Sequence, residues 1–258
     1  MIFLLTSDEI YDILTEQLGN LEVNAVEHGI NIKGFQKLTL LDYPGKVACT
    51  VFTGGCNLRC PFCHNAGLVK DPTVQDGLYD EVISYLSKRK GIIDGVCVTG
   101  GEPLLQPHLR EFLKELKELG YSVKLDTNGS LPERLGEILD ENLVDYIAMD
   151  IKSSPEGYEK ASGSEIPFTT FAKSMELIRN SGVEYEFRTT AAKGIHDISD
   201  FEKISWLLHA DEQYFIQHFV DSGNLLSDIC TPFDGDELKK ILEKVKKRVP
   251  RAALRGKE

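Results

Sequence analysis

Three of the six cysteines in this 258-residue chain stand at Cys56, Cys60 and Cys63, within the run Gly54-Gly55-Cys56-Asn57-Leu58-Arg59-Cys60-Pro61-Phe62-Cys63-His64-Asn65. Thiolates are soft ligands, and three on one short loop can converge on a metal centre. A structural zinc site usually takes four ligands, so the fourth would have to be His64 or a residue remote in sequence. An iron-sulfur cluster held by three cysteines leaves one iron open to a non-protein ligand, which implies chemistry at that iron. Buried small residues, or a redox pair with a bystander, stay open as plainer readings. The other three cysteines carry no such signal: Cys49 and Cys97 lie inside apolar runs, and Cys230 reads as a partly buried loop residue.

The cysteine loop begins where a strand should end. From Val47 onward, short apolar runs alternate with segments whose apolar residues recur every three or four positions, the rhythm of βα units. Strands are expected at 47–53, 93–98, 121–125, 144–151, 183–190 and 213–220. Helices are expected near 78–90, 105–119, 131–140, 170–180, 199–209 and 236–247. In the helix over 105–119, Leu105, Leu109, Phe112, Leu113, Leu116 and Leu119 form one apolar stripe, and Gly120 stops it. Six strands with six helices predict an α/β domain of mostly parallel strands, as a barrel or as an open doubly wound sheet. Residues 1–46 stand outside the repeat: a helix from Asp8 to Leu18, an irregular stretch, and a strand near 36–41 ending in the turn Asp42-Tyr43-Pro44-Gly45. An N-terminal extension over 1–33 and a catalytic domain over 34–258 are the expected units. Residues 153–169, with two prolines and two glycines, suit an ordered loop.

Polar residues recur at the carboxyl ends of the expected strands: Asp126-Thr127-Asn128-Gly129, Asp150-Ile151-Lys152, Arg188-Thr189-Thr190 and Gln217-His218. In a parallel barrel those ends form the active-site face. Asp150 and Lys152 share one face of their strand, with Ile151 turned away; an ion pair between them is the structural alternative, as an Asn-Gly turn is for Asn128-Gly129. Arg188 offers a bidentate fork suited to a ligand carboxylate. His196, His209 and His218 have no mutual spacing that marks a metal site.

The Cys-x3-Cys-x2-Cys loop after the first strand resembles the hallmark of the radical S-adenosylmethionine superfamily. Gly100-Gly101-Glu102-Pro103, directly after the second strand, is similar to that family's cofactor-binding glycine segment. The resemblance implies a partial (β/α)6 TIM-like barrel. It also implies a 4Fe-4S cluster on Cys56, Cys60 and Cys63, with S-adenosyl-L-methionine chelating the fourth iron. Reductive cleavage of the sulfonium would then yield a 5'-deoxyadenosyl radical, so the cofactor carries the hard chemistry. The backbone at Gly100 and Gly101 is expected to admit a ligand closely. Phe62 is placed to shield the cluster and contact an adenine, while Asn57, Arg59 and His64 are placed to orient the loop.

Asp126-Thr127-Asn128-Gly129 and Asp150-x-Lys152 resemble segments of glycyl-radical-enzyme activases. Gly34-Phe35-Gln36-Lys37 through Asn65, above all Leu41-Asp42-Tyr43-Pro44-Gly45-Lys46, resembles the activating proteins of anaerobic ribonucleoside-triphosphate reductases. The implied reaction is hydrogen abstraction from a backbone glycine of that reductase, or of another glycyl radical enzyme. A flavodoxin- or ferredoxin-like protein would be the reductant. Such a reaction asks for a laterally open barrel, with the Tyr43-Pro44 turn and the 153–169 loop at its rim. The expected catalytic residues are Cys56, Cys60, Cys63, Asp126 and Lys152. The expected cofactor contacts are Phe62, Gly100, Gly101, Glu102, Thr127, Asp150, Arg188 and Gln217.

The alternatives are a radical enzyme acting on RNA, a peptide or a small heterocycle, and a non-enzymatic electron-transfer or zinc module. A net charge of −12 disfavours nucleic acid; an RNA substrate would call for a basic patch, such as Lys88-Arg89-Lys90, near the mouth. The opening MIFLL is too short for a signal peptide, and no apolar run approaches the roughly 18 residues of a membrane span, so a cytoplasmic protein with no membrane partner is expected.

Overall fold

The computed structural model describes residues 30–70, 77–221, 223 and 225–256. The helix expected from Asp8 to Leu18 lies outside the described residues. Six parallel strands follow one another in chain order: β2 (Ala48–Thr53), β3 (Gly95–Gly100), β4 (Ser122–Thr127), β5 (Tyr146–Asp150), β6 (Glu184–Lys193) and β7 (Tyr214–His218). Between them run the helices α2 (Leu78–Ser87), α3 (Leu109–Glu118), α4 (Pro132–Asp140), α6 (Phe168–Asn180) and α7 (Ile198–Trp206). Short helices α1 (Ala66–Lys70) and α5 (Tyr158–Ser162) precede α2 and α6, and α8 (Gly235–Lys246) follows β7. This is the expected βα alternation.

Two strands extend the sheet at its edges. β1 (Ile32–Thr39) pairs antiparallel with β2, and β9 (Ala253–Arg255) pairs parallel with β7. Among the described residues β1 and β9 do not pair with each other, so the barrel is open. A two-residue strand, β8 (Thr231–Pro232), pairs with the end of β6.

Strand alternation sorts the side chains. Val96, Val98, Val123, Leu125, Ile147 and Met149 are fully buried in one core with Phe112, Leu113 and Leu116 of α3. The intervening residues Cys97, Lys124 and Ala148 are outside that cluster and face the lumen. Burying an apolar side chain contributes on the order of 2 kcal/mol, so this outer layer carries the fold and leaves the lumen free for polar groups.

Three local expectations are corrected. The strand placed near 36–41 occupies Ile32–Thr39. The helix placed at 105 starts at Leu109, because Pro107 keeps Gln106 extended; Pro103–Leu105 form a separate 3-10 turn. The Tyr43-Pro44 turn lies at the foot of the barrel, not its rim. Tyr43 packs against Gly95 and its ring centroid is 6.0 Å from that of Tyr146, so it sits under the first residues of β3 and β5. Gly45, at φ 72°, gives the turn its left-handed third position, and Lys46 N–H closes it on Tyr43 O at 3.2 Å. Lys88-Arg89-Lys90 also lies at the foot, just before β3, where Asp94 N–H donates to Val47 O.

Candidate active site

The carboxyl ends of β3 to β7 and the loop after β2 enclose a cavity of ≈ 200 Å³. Cys56, Cys60 and Cys63 line it together with Phe62, Gly100, Gly101, Asp126, Thr127, Asp150, Lys152, Arg188 and Gln217. Sequence reasoning thus brought together twelve residues that the fold gathers at one mouth. Thr190, at a strand end named from sequence, also lines it; Leu58, Asn65, Val69 and Thr99, which were not singled out, line it too, and Thr99 sits at the end of β3, where the strand-end pattern that exposed Asp126 and Arg188 would have found it.

Glu102 is the exception among the expected contacts: it is 1% exposed and is not among the lining residues. Its carboxylate accepts from Leu104 N–H at 3.1 Å, Thr127 Oγ1 at 2.9 Å and Asn128 N–H at 2.6 Å. It therefore ties the glycine segment to the end of β4. Burial pushes its carboxyl up to about 7 against these hydrogen bonds.

The glycines, which line the cavity, also have an internal task. A Cβ on Gly101 would stand 1.8 Å from Gly55 O, and one on Gly100, at φ 124°, 2.3 Å from Thr53 N and O. The missing side chains let β3's end lie against the backbone that leads into the cysteines, and Glu102 N–H donates to Gly55 O at 2.9 Å.

Several contacts hold the cysteine loop. Arg59 Nη1 donates to Cys56 O and Leu58 O, and Arg59 N–H to Ser162 O at 2.8 Å. Gly163, at φ 61°, passes so close to Arg59 that a Cβ would stand 2.4 Å from its carbonyl oxygen, so the 153–169 loop seats the cysteines. Asn57 is joined to Asn128 at 3.1 Å and to Ser130 at 2.8 Å. His196, unassigned from sequence, accepts Ala192 N–H on Nδ1 and so donates from Nε2 to Lys152 O at 2.7 Å. Its ring lies 5.7 Å from that of Phe62, and burial keeps it neutral. His64 faces Phe219 at 5.3 Å, with burial again lowering its pKa.

An ion network crosses the cavity floor. Arg188 donates from Nε to Asp150 at 2.9 Å and from Nη1 to Asp126 at 3.1 Å, and Lys152 reaches Asp150 at 3.0 Å. The register places Asp150 opposite Arg188. Burial would raise both carboxyls, but Arg188 with Lys152 holds Asp150 at about 2, and Arg188 with Lys124 holds Asp126 below the usual range. Lys152, which burial would lower, is raised instead by Asp150.

The sulfurs suit a cluster better than one ion. Among the described residues no three His, Cys, Asp or Glu side chains gather closely enough to hold a single metal, as a structural zinc site would need. Burial pushes the Cys56 thiol up and the Cys60 thiol up to about 12, so thiolates here need cationic iron beside them. Leu58 N–H at 3.4 Å and Asn128 Nδ2 at 3.8 Å donate to Cys56 Sγ, the kind of contact that tunes a cluster. Cys56, Cys60 and Cys63 would hold three irons, and the polar floor of the same cavity would supply the groups for a ligand of the fourth.

Comparison with known proteins agrees with this chemistry. The family model described as the Radical SAM superfamily matches residues 50–204. A candidate glycyl-radical enzyme activating enzyme of Methanocaldococcus jannaschii is 33% identical over 198 residues, 73% of this chain and 79% of the relative. The pyruvate formate-lyase-activating enzyme of Clostridium pasteurianum is 34% identical over 154 residues, 57% of this chain and 63% of the relative. Streptococcus suis SuiB bound to S-adenosylmethionine has the same fold, with a TM-score of 0.62 and 17% identity over 78% of this chain and 48% of that one. The chain thus spans about half the length of that structure. No helix among the described residues is long and apolar enough to cross a membrane. A family match over more than half of the chain, taking in all three cysteines and strands β3 to β6, makes this protein a member of the radical S-adenosylmethionine superfamily, which works with a 4Fe-4S cluster and S-adenosylmethionine.

Proposed function

We propose that this protein is a glycyl-radical-enzyme activase whose partner is an anaerobic ribonucleoside-triphosphate reductase. The observation that carries the reading is the unclosed sheet: among the described residues β1 and β9 leave the barrel open beside a mouth lined by the cysteines and the ion network. A glycine held in a protein loop needs such lateral access, whereas a small substrate is usually enclosed. Similarity to the Methanocaldococcus protein over 79% of its length supports the same class. The resemblance of Leu41-Asp42-Tyr43-Pro44-Gly45-Lys46 to the reductase activators supports the narrower partner.

When bound, the cluster and S-adenosylmethionine supply an electron and a strongly oxidising carbon radical. The chain's own residues bind, orient and exclude water. Cys56, Cys60 and Cys63 would hold iron, while Asp126 and Arg188 would meet the charged groups of the methionine end. Lys152, held by Asp150, would stand beside the substrate. Phe62, backed by His196, would shield the cluster. A flavodoxin- or ferredoxin-like protein is the proposed electron donor.

An RNA substrate has less support, because Lys88-Arg89-Lys90 lies at the foot of the barrel, away from the mouth. The test is anaerobic incubation of the cluster-loaded protein with S-adenosylmethionine, a low-potential reductant and the reductase. The expected result is 5'-deoxyadenosine together with a glycyl radical signal on the reductase. Product formation with a heterocycle, RNA or free peptide, and no radical on any glycyl radical enzyme, would overturn the assignment.

A further inference from the structure

We propose that Lys124, one lumen step below the cavity on β4, is a positioning residue for S-adenosylmethionine binding that acts through Asp126. Lys124 is only 2% exposed. Its ammonium donates to Oδ1 of Asp126 and, at 3.7 Å, to Sγ of Cys97. A buried ammonium is expensive to desolvate, and methionine or leucine would fill the same space without that cost. Its position two residues before Asp126 puts both side chains on the same strand face, roughly 7 Å apart along the strand.

The network above explains why Asp126 needs a second cation. Arg188 divides its guanidinium between Asp126 and Asp150. Asp150 has Lys152 as well, whereas Asp126 has Lys124 from below and the Thr99 hydroxyl at 3.2 Å. With Lys124 gone, two carboxylates would compete for one arginine, and Asp150 would repel the charge on Asp126. The other titratable groups beside this pair are Cys97 on β3, which has Asp42 of the β1–β2 turn near it, and Tyr146 on β5, in register with Lys124 and bonded to Glu186; burial, more than any nearby acid, keeps the Cys97 thiol and the Tyr146 hydroxyl neutral. Lys124 therefore keeps Asp126 ionised, with one oxygen fixed from below. An ionised carboxylate can accept from the cofactor's ammonium group and a protonated one accepts poorly.

The inference rests on the reading of Asp126 as a cofactor contact, so the experiment includes that residue. Binding of S-adenosylmethionine is measured by anaerobic equilibrium dialysis between pH 6 and 8 on cluster-loaded protein matched for iron and sulfide. Lys124→Met should weaken binding about tenfold at pH 6 and only about twofold at pH 8, because the acid limb of the profile moves up as Asp126 becomes easier to protonate. Lys124→Arg should recover most of the loss. In an Asp126→Asn background, Lys124→Met should cost little more. A Lys124→Met loss equal at every pH, or repeated in full in the Asp126→Asn background, would make Lys124 a packing residue and overturn the proposal. Unchanged binding in Asp126→Asn alone would instead remove the reading of Asp126, and the proposal with it.

Discussion

The mouth and the foot of this barrel both bury charge, but they balance it differently. At the foot, Glu186 is 1% exposed, is held by Arg255 at 2.5 and 2.8 Å, and accepts from Tyr146 Oη at 2.9 Å. Glu212 is matched likewise by Arg179 at 2.7 and 3.1 Å and by Tyr185 at 3.0 Å. Each acid there has its own guanidinium and a tyrosine hydroxyl. At the mouth, Lys124, Lys152 and Arg188 share ion pairs with Asp126 and Asp150, three cations to two carboxylates in direct contact, beside three cysteines and an open cavity. Matched charge locks strands together; unmatched charge facing a cavity waits for a ligand.

The sharpest way to break this contrast is at the cysteines. Alanine at Cys56, Cys60 or Cys63 should abolish iron-dependent formation of 5'-deoxyadenosine, measured beside iron and sulfide content, while Arg255→Ala keeps both. Next in size is Gly101→Ala. Its Cβ would fall within 1.8 Å of Gly55 O, so the loop must shift, with a stability loss of at least about 2 kcal/mol by denaturant titration and poor cluster loading.

Arg255→Ala sharpens the other side. Glu186 would lose its guanidinium, at a cost of about 2–3 kcal/mol once the one-third exposure of the Arg255 side chain is allowed for. Affinity for S-adenosylmethionine should fall by no more than a few-fold, since Glu186 reaches the mouth only through its charge on Arg188; a larger loss of affinity would merge foot and mouth into one unit. A pH dependence concerns Glu102. Its folded pKa of about 7 lies above the ordinary carboxylate value of 4.5, so its contribution is full below that value and is lost as pH rises through 7. Denaturation midpoints should therefore decline between pH 5 and 8, and Glu102→Gln should flatten the decline.

Much of this was legible in sequence because the signals are local. The cysteine spacing, the glycine segment and the strand-end polar pairs each sit within a few residues, and a parallel barrel brings successive strand ends together without further information. What stayed hidden depends on distant partners. β9 is three residues long, too short for a periodicity signal, and is defined by pairing with β7. Glu102 looks like a ligand group until Thr127 and Asn128 are placed beside it. Lys124 sits in an apolar-looking strand, and its burial follows only from lumen geometry. The Tyr43-Pro44 turn lies at the foot because it runs directly into the first residue of β2, a placement already implied by chain order.

The most direct measurement is the quantity of 5'-deoxyadenosine formed by anaerobically reconstituted protein with S-adenosylmethionine and a low-potential reductant, with and without the glycyl radical enzyme. The mouth described here predicts product from the intact protein and from Arg255→Ala, and none from the three cysteine variants. A fully loaded, verifiably reduced four-iron cluster that binds S-adenosylmethionine and yet cleaves none of it, even with the partner present, would contradict the assignment.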